Sequence, residues 1–356
     1  MRSRVEADLL AMTIGLALGW LAFSLIVFAY GEAPVSMAGQ LWSGTWGTAY
    51  GAGQVLFKAT PILFSGIAVQ LALRVGLFNI GAEGQMAVAS LAVASVGAHL
   101  GPTMPGFVAL PLLLLVAASA GALWALGPAL LRARLGAHEV ISTIMTNRIA
   151  DALISLLLGL GLAQKGTVRT PDVAPGARMR RLGDWVSSLQ GSAANTSIFV
   201  ALLALLMAAF LWPRTRAGRE QLLVGQNPDA CRAEGIPVAR RLTQALVLSG
   251  AVAGLASSAT VLGYKGYYEQ GLGAGAGFTG LAVALLGRGR ASGMVFAALL
   301  FGTLDQGGLA LNATIPREAM QIVQAVVMLA VALSDERVRA WIIKVPALLS
   351  KEKVTA

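Results

Sequence analysis

The sequence predicts an all-α polytopic membrane protein of about ten transmembrane helices. Three observations carry that prediction. Of 356 residues, 56% are hydrophobic and only 12% charged, against about 25% charged in soluble chains. Apolar runs of about 20 residues recur along the whole length, each enough to cross roughly 30 Å of hydrocarbon. No long polar segment offers a second soluble domain, so residues 1–356 read as a single transmembrane domain.

The first span is 9–29. Arg2 and Arg4 precede an apolar run from Leu9 to Tyr30. A secretory signal has a shorter core of about 7–15 residues and a small-residue cleavage site; this run is longer and lacks a clean A-x-A site, so it reads as a retained helix. The remaining spans are 50–73, 77–98, 107–131, 139–163, 198–212, 242–263, 272–287, 292–310 and 318–334. Ten spans put both termini on one side. With that side inside, 18 of the 27 basic residues are inner and eight outer, counting Lys58 in the outer half of its span, with Arg148 within a span, which satisfies the positive-inside rule. The same asymmetry accounts for the net charge of +10 without nucleic acid. The outer segment 164–197 is the exception, with five basic residues against Asp172 and Asp184.

Two stretches echo each other: "FSGIAVQLALRVGLFNIGAEGQMAVASLA" and "LSGAVAGLASSATVLGYKGYYEQGLGAGAGFTGLAVALL" both run helix, glycine-rich break, helix. On the predicted topology they have opposite orientation, as an inverted repeat requires. The repeats are 50–163 and 242–334, separated by the outer segment 164–197 and an inner segment 213–241, with an inner tail at 335–356.

The polar breaks are the candidate sites. "GLFNIGAEGQM" interrupts two apolar runs with Asn79, Glu83 and Gln85. A carboxylate in the bilayer is expensive and should face a cavity or a partner. Asn79 and Gly81 break the backbone and leave free amides at a helix start; Glu83 lies on the first turn, where the helix dipole favours an acid. Two readings stand, a cap or structural lock and a wall of a solute route. "LGAHEVISTIMTNRIAD" opens the fifth span with Glu139 and adds Ser142, Thr143, Thr146 and Asn147 near one stripe. Arg148 and Asp151, three apart, share a helix face, either as an internal ion pair or as a polar wall. "GAGAGFTGLAVALLGRGRASG" joins glycine-rich backbone to Phe278, and "GTLDQGG" places Asp305 inside the ninth span. In 213–241 a short helix is expected from Pro228 to Glu234, stopped by Gly235 with Pro237 beyond. Two GxxxG pairs, Gly15/Gly19 and Gly250/Gly254, read as ordinary helix packing.

Several chemistries are excluded. The single Cys231 forms no internal disulfide, His99 and His138 are far apart, and metal-ligand spacing is missing. No Gly-x4-Gly-Lys-Ser/Thr loop occurs, so the chain does not cradle ATP that way. No Ser-His-Asp set or cofactor fingerprint points to an enzyme.

"FNIGAEGQM", "GAHEVISTIMTN", "VGQNPDACRAEGIPVAR" followed by "SGAVAGLA", and "GFTGLAVALLGR" resemble, in order and spacing over about residues 60–335, the permease subunits of the nucleoside and simple-sugar branch of ABC importers, a branched-chain amino acid/ribose-type permease family. The Asn-Ile-Gly-x-Glu-Gly-Gln pattern most resembles the larger of two nucleoside permeases. His138 stands where the family pattern has Asn and Arg148 where it has Tyr; both bear on the solute more than on the family. The resemblance implies a type II importer fold, like the vitamin B12 importer's permease. It also implies a second permease subunit, a cytoplasmic ABC ATPase that uses the ATP, and an extracytoplasmic solute-binding lipoprotein. It implies that Gly225–Arg241, with Gly225, Asn227, Pro228, Ala230, Glu234, Gly235 and Ile236, docks into the ATPase in the inner membrane of a prokaryote. Asn79, Glu83, Gln85, Glu139, Asn147, Phe278 and Asp305 are then the gate or pathway candidates for a nucleoside. The alternatives are a simple sugar as solute, an ion-coupled carrier with Glu83 or Asp305 as a proton site, and a structural subunit with no solute path.

Overall fold

A computed structural model describes residues 17–333, and within them the chain is helical. The start of the first predicted span, with Arg2, Arg4 and Gly15, and the tail 335–356 lie outside the described residues. In chain order the helices are α1 (Ala17–Ala29), α2 (Pro34–Gly44), α3 (Ala49–Leu73), α4 (Ala82–Ala98), α5 (Gly106–Leu135), α6 (Glu139–Leu157), α7 (Ser197–Leu206), α8 (Arg216–Gln226), α9 (Pro228–Ala233), α10 (Val238–Gly254), α11 (Ala276–Gly287), α12 (Ala291–Ala310) and α13 (Arg317–Leu333). Wide π-helical turns extend α6 over Leu158–Leu162, α7 over Met207–Leu211 and α10 over Ser258–Lys265.

Contacts divide the chain into two units. The smaller, residues 17–45 with 304–333 among those described, holds α1, α2 and α13. Its core is Phe23, Val27, Met37, Leu311, Ile315, Met320 and Val323. The chain bends by 109° between α1 and α2, at Gly31, whose φ of +78° is the left-handed conformation glycine adopts without a Cβ penalty.

The larger unit, Trp46–Thr303, is built around α3. This helix is apolar and buried almost all round, which marks a central helix. α5, α6 and α7 instead bury one stripe each and turn apolar side chains outward. The tightest seam joins α5 to α10. Lipid offers no hydrophobic drive between helices, so close approach of small residues holds such seams. α5 presents Ala109, Leu113, Ala117, Gly121 and Ala125 at four-residue spacing. A Cβ on Gly121 would collide with the Gly250 carbonyl, and one on Gly254 with the Ala117 carbonyl. The Gly250/Gly254 pair is packing, as its spacing predicts.

By length and composition, six helices are suited to crossing a membrane, or seven if α1 and α2 are one bent span. The sequence count of ten is not reached by that measure among the described residues. The 77–98 span begins only at Ala82, because 74–81 is not helical. The 272–287 span shrinks to the 12 residues of α11, roughly 18 Å at 1.5 Å per residue. The chain enters it through a loop in which Gly271, Gly273 and Gly275 all have positive φ. α13 is described from Arg317 to Leu333, and Ser334, the last residue of its predicted span, lies outside the described residues. α2 and α8 are helices the apolar runs do not announce.

Arg74, Arg132 and Arg240 mark one end of the larger unit. The segment 164–197 covers the opposite end, tied to the chain after α10: Thr170 N–H donates to Tyr268 O (2.9 Å), Val173 N–H to Gly266 O (2.7 Å) and Met179 N–H to Leu262 O (2.9 Å). Its excess of basic residues is partly met at Asp172, which pairs with both Arg169 and Arg178 at 3.2 Å.

The seam yields a paired test. Gly250→Ala places its methyl against Gly121 and is expected to destabilise by about 1–3 kcal/mol. Gly127→Ala, on the same seam helix α5 but with open space around it, is expected to be neutral or slightly stabilising. Thermal unfolding of the detergent-purified chain reads the difference.

Candidate functional site

The segment 76–86 is a knot of hydrogen bonds rather than a helix start alone. Leaving α3, the chain turns at Gly76 (φ +74°) and runs through Phe78, Asn79 and Ile80 into α4. Asn79 is fully buried and uses its whole amide. Its Nδ2 donates to Gln85 Oε1 (2.8 Å) and to Ser249 Oγ (2.7 Å). Its Oδ1 accepts from Gly81 N–H (3.0 Å) and from Gln85 Nε2 (3.1 Å). Ser249, on α10, passes the chain on by donating to the α3 carbonyl of Ala68 (2.5 Å). From α6, Asn147 Nδ2 donates to Ile80 O and its Oδ1 accepts from Gly84 N–H, both at 2.9 Å. Gly84 has no room for a side chain there, since a Cβ would meet Asn147. Glu139, also buried, pairs with Arg132 at the end of α5 (3.3 Å) and accepts from Phe78 N–H (3.5 Å). Four helices are fastened to one irregular segment. Buried polar groups demand such partners, and each left unsatisfied costs about 1–3 kcal/mol.

Glu83 reaches further. One carboxylate oxygen accepts from Gly275 N–H (2.7 Å) and the other from Gly277 N–H (2.8 Å). The acid caps a helix, but α11 rather than its own α4. The first amides of a helix carry partial positive charge and no intrahelical acceptor, and the glycines of 273–277 let the two backbones touch. A Cβ on Gly277 would collide with Glu83 itself. Ser65 Oγ on α3 donates to Gly277 O (2.9 Å), fixing the other side of the same turn.

Beside this cap lies a cavity of about 40 Å³, lined by Glu83, Met86, Asp151, Tyr268 and the segment Gln270–Ala274, room for a few water molecules. Gln270 Nε2 donates to Ser155 Oγ on α6 (2.9 Å). Phe278, on the first turn of α11, is half exposed. The structure thus brings Asn79, Glu83, Gln85, Glu139 and Asn147 together, with Phe278 at their edge. Asp305 belongs to the other unit and pairs there with Arg317 (3.0 Å). Ser249, Ser65 and Tyr268 join the site although none was singled out from the sequence; the signal for the two serines was their matching place in the "FSG" and "LSG" that open the echoing stretches.

At the Arg74 end, α9 forms where its residues predict. Asn227 Oδ1 accepts from Asp229 N–H (3.1 Å) and Ala230 N–H (3.0 Å), Pro228 occupies the first turn, Glu234 ends the helix and Gly235 leaves it at φ +75°. Ile236 packs on the small core of Val224, Cys231 and Val238. Gly225 presses on the Arg74 carbonyl, where a Cβ would collide. The segment also holds α8, which is not among the helices expected from the sequence. Thr215 caps it by accepting from Gly218 N–H (3.0 Å). Its Glu220 accepts from Arg216 Nε (2.7 Å) and Arg241 Nε (2.6 Å). The Arg216 bond, then the Arg241 bond, hold this carboxyl below the usual glutamate range. The Arg216–Glu220 spacing of four was the available signal; Arg241 lies on α10 and had none. Among the described residues no group of three or more His, Cys, Asp or Glu is placed to hold a metal.

A family model described as branched-chain amino acid transport system, permease component, matches residues 51–332. The chain belongs to this permease family. It is 37% identical to the guanosine ABC transporter permease protein NupP of Bacillus subtilis over 93% of this chain and 94% of the relative. It is 33% identical to the nucleoside ABC transporter permease protein NupB of Lactococcus lactis, over 93% and 91%. It is 32% identical to the glucose ABC transporter permease protein TsgB13 of Haloferax volcanii, over 92% and 86%. The same Bacillus and Lactococcus strains each hold a second, more distant relative, at 26% and 28% identity. No solved structure matches.

Glu83→Ala is expected to free the first amides of α11, so hydrogen exchange at 275–278 speeds by an order of magnitude or more, while Glu83→Gln, which keeps one acceptor, gives a smaller change. Glu220→Gln is expected to loosen α8 from α10 and speed maleimide labelling of the lone, buried Cys231 several-fold. Because the folded carboxyl titrates below its ordinary value of 4.5, its contribution is full above that pH and is lost as pH falls through the lowered value. The Glu220→Gln penalty in Tm therefore shrinks from neutral to acid pH.

Proposed function

We propose that this permease carries nucleosides into the cell as one subunit of an ATP-driven importer working by alternating access. The observation that carries the reading is the α11 cap. A short half-helix begins inside the membrane-spanning unit, its amides held by a carboxylate from α4 and its entry loop lining a polar cavity with α6. Transporters place solute sites at such discontinuous helices. The closest chemistry among the relatives reported above is nucleoside transport, and amides, carboxylates and an exposed Phe278 suit a ligand of hydroxyls, ring nitrogens and a stacking base.

In this reading the Arg74 end faces the cytosol and both termini lie there. The segment 213–241 docks with Gly225, Asn227, Pro228, Ala230, Glu234, Gly235 and Ile236 into a separate ATPase. Two features favour rigid transmission: the last turn of α8 is locked to the end of α3 by the Gly225 contact, and α8 is locked to α10 by Glu220. α10 in turn holds Ser249 and the knot at Asn79, so a push on α9 reaches the site through packed elements. Asn79, Gln85, Glu139 and Asn147 act by holding the gate, Glu83 by fixing α11, and Phe278 by touching solute; Asp305 serves in the smaller unit. A second, different permease subunit completes the route, as the paired relatives in two organisms support, and a binding lipoprotein delivers solute to the 164–197 face. The repeats 50–163 and 242–334 supply the two halves that move. A simple sugar is the second reading, favoured by the similarity to the glucose permease.

Labelled-nucleoside uptake in cells with and without this gene tests the proposal. Uptake is expected to vanish on deletion and on ATP depletion, and to persist when the proton gradient alone is collapsed. Sugar uptake lost in place of nucleoside uptake selects the second reading, and dependence on the proton gradient overturns the ATP-driven mechanism.

A further inference from the structure

α6 buries a single stripe, Glu139, Thr143, Asn147, Ala150 and Ile154. The rest of its circumference is not uniform. At 100° per residue, Ile141, Met145, Ile149 and Leu156 lie opposite the stripe, and all are exposed, as a lipid-facing surface should be. One flank between these faces carries Arg148, Asp151 and Ser155 instead. The Arg148 and Asp151 side chains are 83% and 59% exposed, with Nη1 and Oδ2 3.8 Å apart. They stand nine and twelve residues into a span of 24, Glu139–Leu162, so they sit near mid-membrane. An exposed ion pair at that depth does not face hydrocarbon; such groups face a water-filled cavity or protein. The flank is continuous with the site. Asp151 lines the cavity beside the Glu83 cap, and Ser155 accepts from Gln270 of the loop that enters α11.

We infer that Arg148 and Asp151 form a recognition pair for a nucleobase edge and select guanine. The inference rests on the nucleoside reading above and names its specificity. The 3.8 Å contact leaves most of both groups unused: a guanidinium has five N–H donors in a planar fork, and a carboxylate has about four lone-pair sites. Three-residue spacing points both from one flank of the helix. Guanine offers two neighbouring acceptors, O6 and N7, which match a guanidinium fork. Along the adjoining edge it offers two neighbouring donors, N1–H and N2–H, which match a carboxylate fork. Adenine and cytosine present at most one of these forks, and uracil, with N3–H between two carbonyls, presents neither. A sugar hydroxyl donates and accepts alike and draws no such distinction. Because both partners are desolvated when the base docks, an analogue missing one group leaves a charged group unpaired, which is what makes polar sites strongly selective.

The test is competition against labelled guanosine uptake in cells that differ only in this gene, so that the same binding protein serves every measurement. In wild-type cells 7-deazaguanosine, which lacks N7, and 1-methylguanosine, which lacks N1–H, are expected to compete at least about tenfold less well than guanosine. Arg148→Gln is expected to erase the penalty of the first analogue and Asp151→Asn that of the second, with neither variant erasing both. If a variant does not accumulate in the membrane, Arg148→Lys, which keeps charge and loses the fork, and Asp151→Glu, which keeps both acceptor oxygens, read the same ratios: the lysine erases the 7-deaza penalty and the glutamate retains the 1-methyl penalty. Penalties that persist in both variants, or that are absent in the wild type, overturn the recognition pair while leaving nucleoside transport intact. Wild-type cells that take up no nucleoside overturn the transport reading beneath it as well.

Discussion

A backbone broken inside a membrane must find partners for the N–H groups it frees, because no water is there to take them. The larger unit is arranged around that constraint. Its irregular segment 76–86 leaves amides and carbonyls without helical partners, and two side-chain amides supply them, Asn79 from within and Asn147 from α6, with Gln85 bracing the Asn79 amide. The second break, before α11, is met by Glu83, itself held on the first break. Each irregularity therefore depends on the other. The two glycine-rich stretches that sequence sets apart by almost 200 residues make one structural element.

That dependence explains why so many glycines line these contacts. Gly81, Gly84, Gly277 and Gly280 each sit where a Cβ would meet a polar side chain of the knot or Ser65. The hydrogen bonds need backbones closer than side chains allow, and glycine supplies the approach at a cost in chain entropy. The α5–α10 seam uses the same device without polar groups. It holds α10 in register, so that Arg241 near its start meets Glu220 and Ser249 further along meets Asn79.

Polar side chains near the knot serve two different ends. Asn79, Gln85, Glu139 and Asn147 are buried and committed to the protein, whereas Arg148, Asp151 and Phe278 are open. A low-dielectric interior makes an unsatisfied polar network costly, and the committed groups are held by one another, by backbone and, for Glu139, by the Arg132 ion pair. Arg148 and Asp151 have bonding capacity left for something that comes and goes, and Phe278 offers a half-exposed ring.

Composition, apolar run length and the missing phosphate loop settled in advance that the chain is a helical membrane protein without an ATP cradle of this kind. Local residue chemistry also placed α9, because Asn227, Pro228 and Gly235 act on their own neighbours. The breaks at Asn79–Gly81 and Gly273–Gly275 were visible for the same reason. The shortness of α11 was not, since an apolar run reads the same whether it spans the bilayer or begins half-way through it. Nor was α8, whose amphipathic turn lacks a long apolar run. Only the tertiary structure decided which amides Glu83 caps, which hydroxyl Asn79 meets and which arginine on α10 Glu220 holds. Those pairs are far apart in the chain, and periodicity and capping rules describe a residue's own helix, not the one that packing brings beside it.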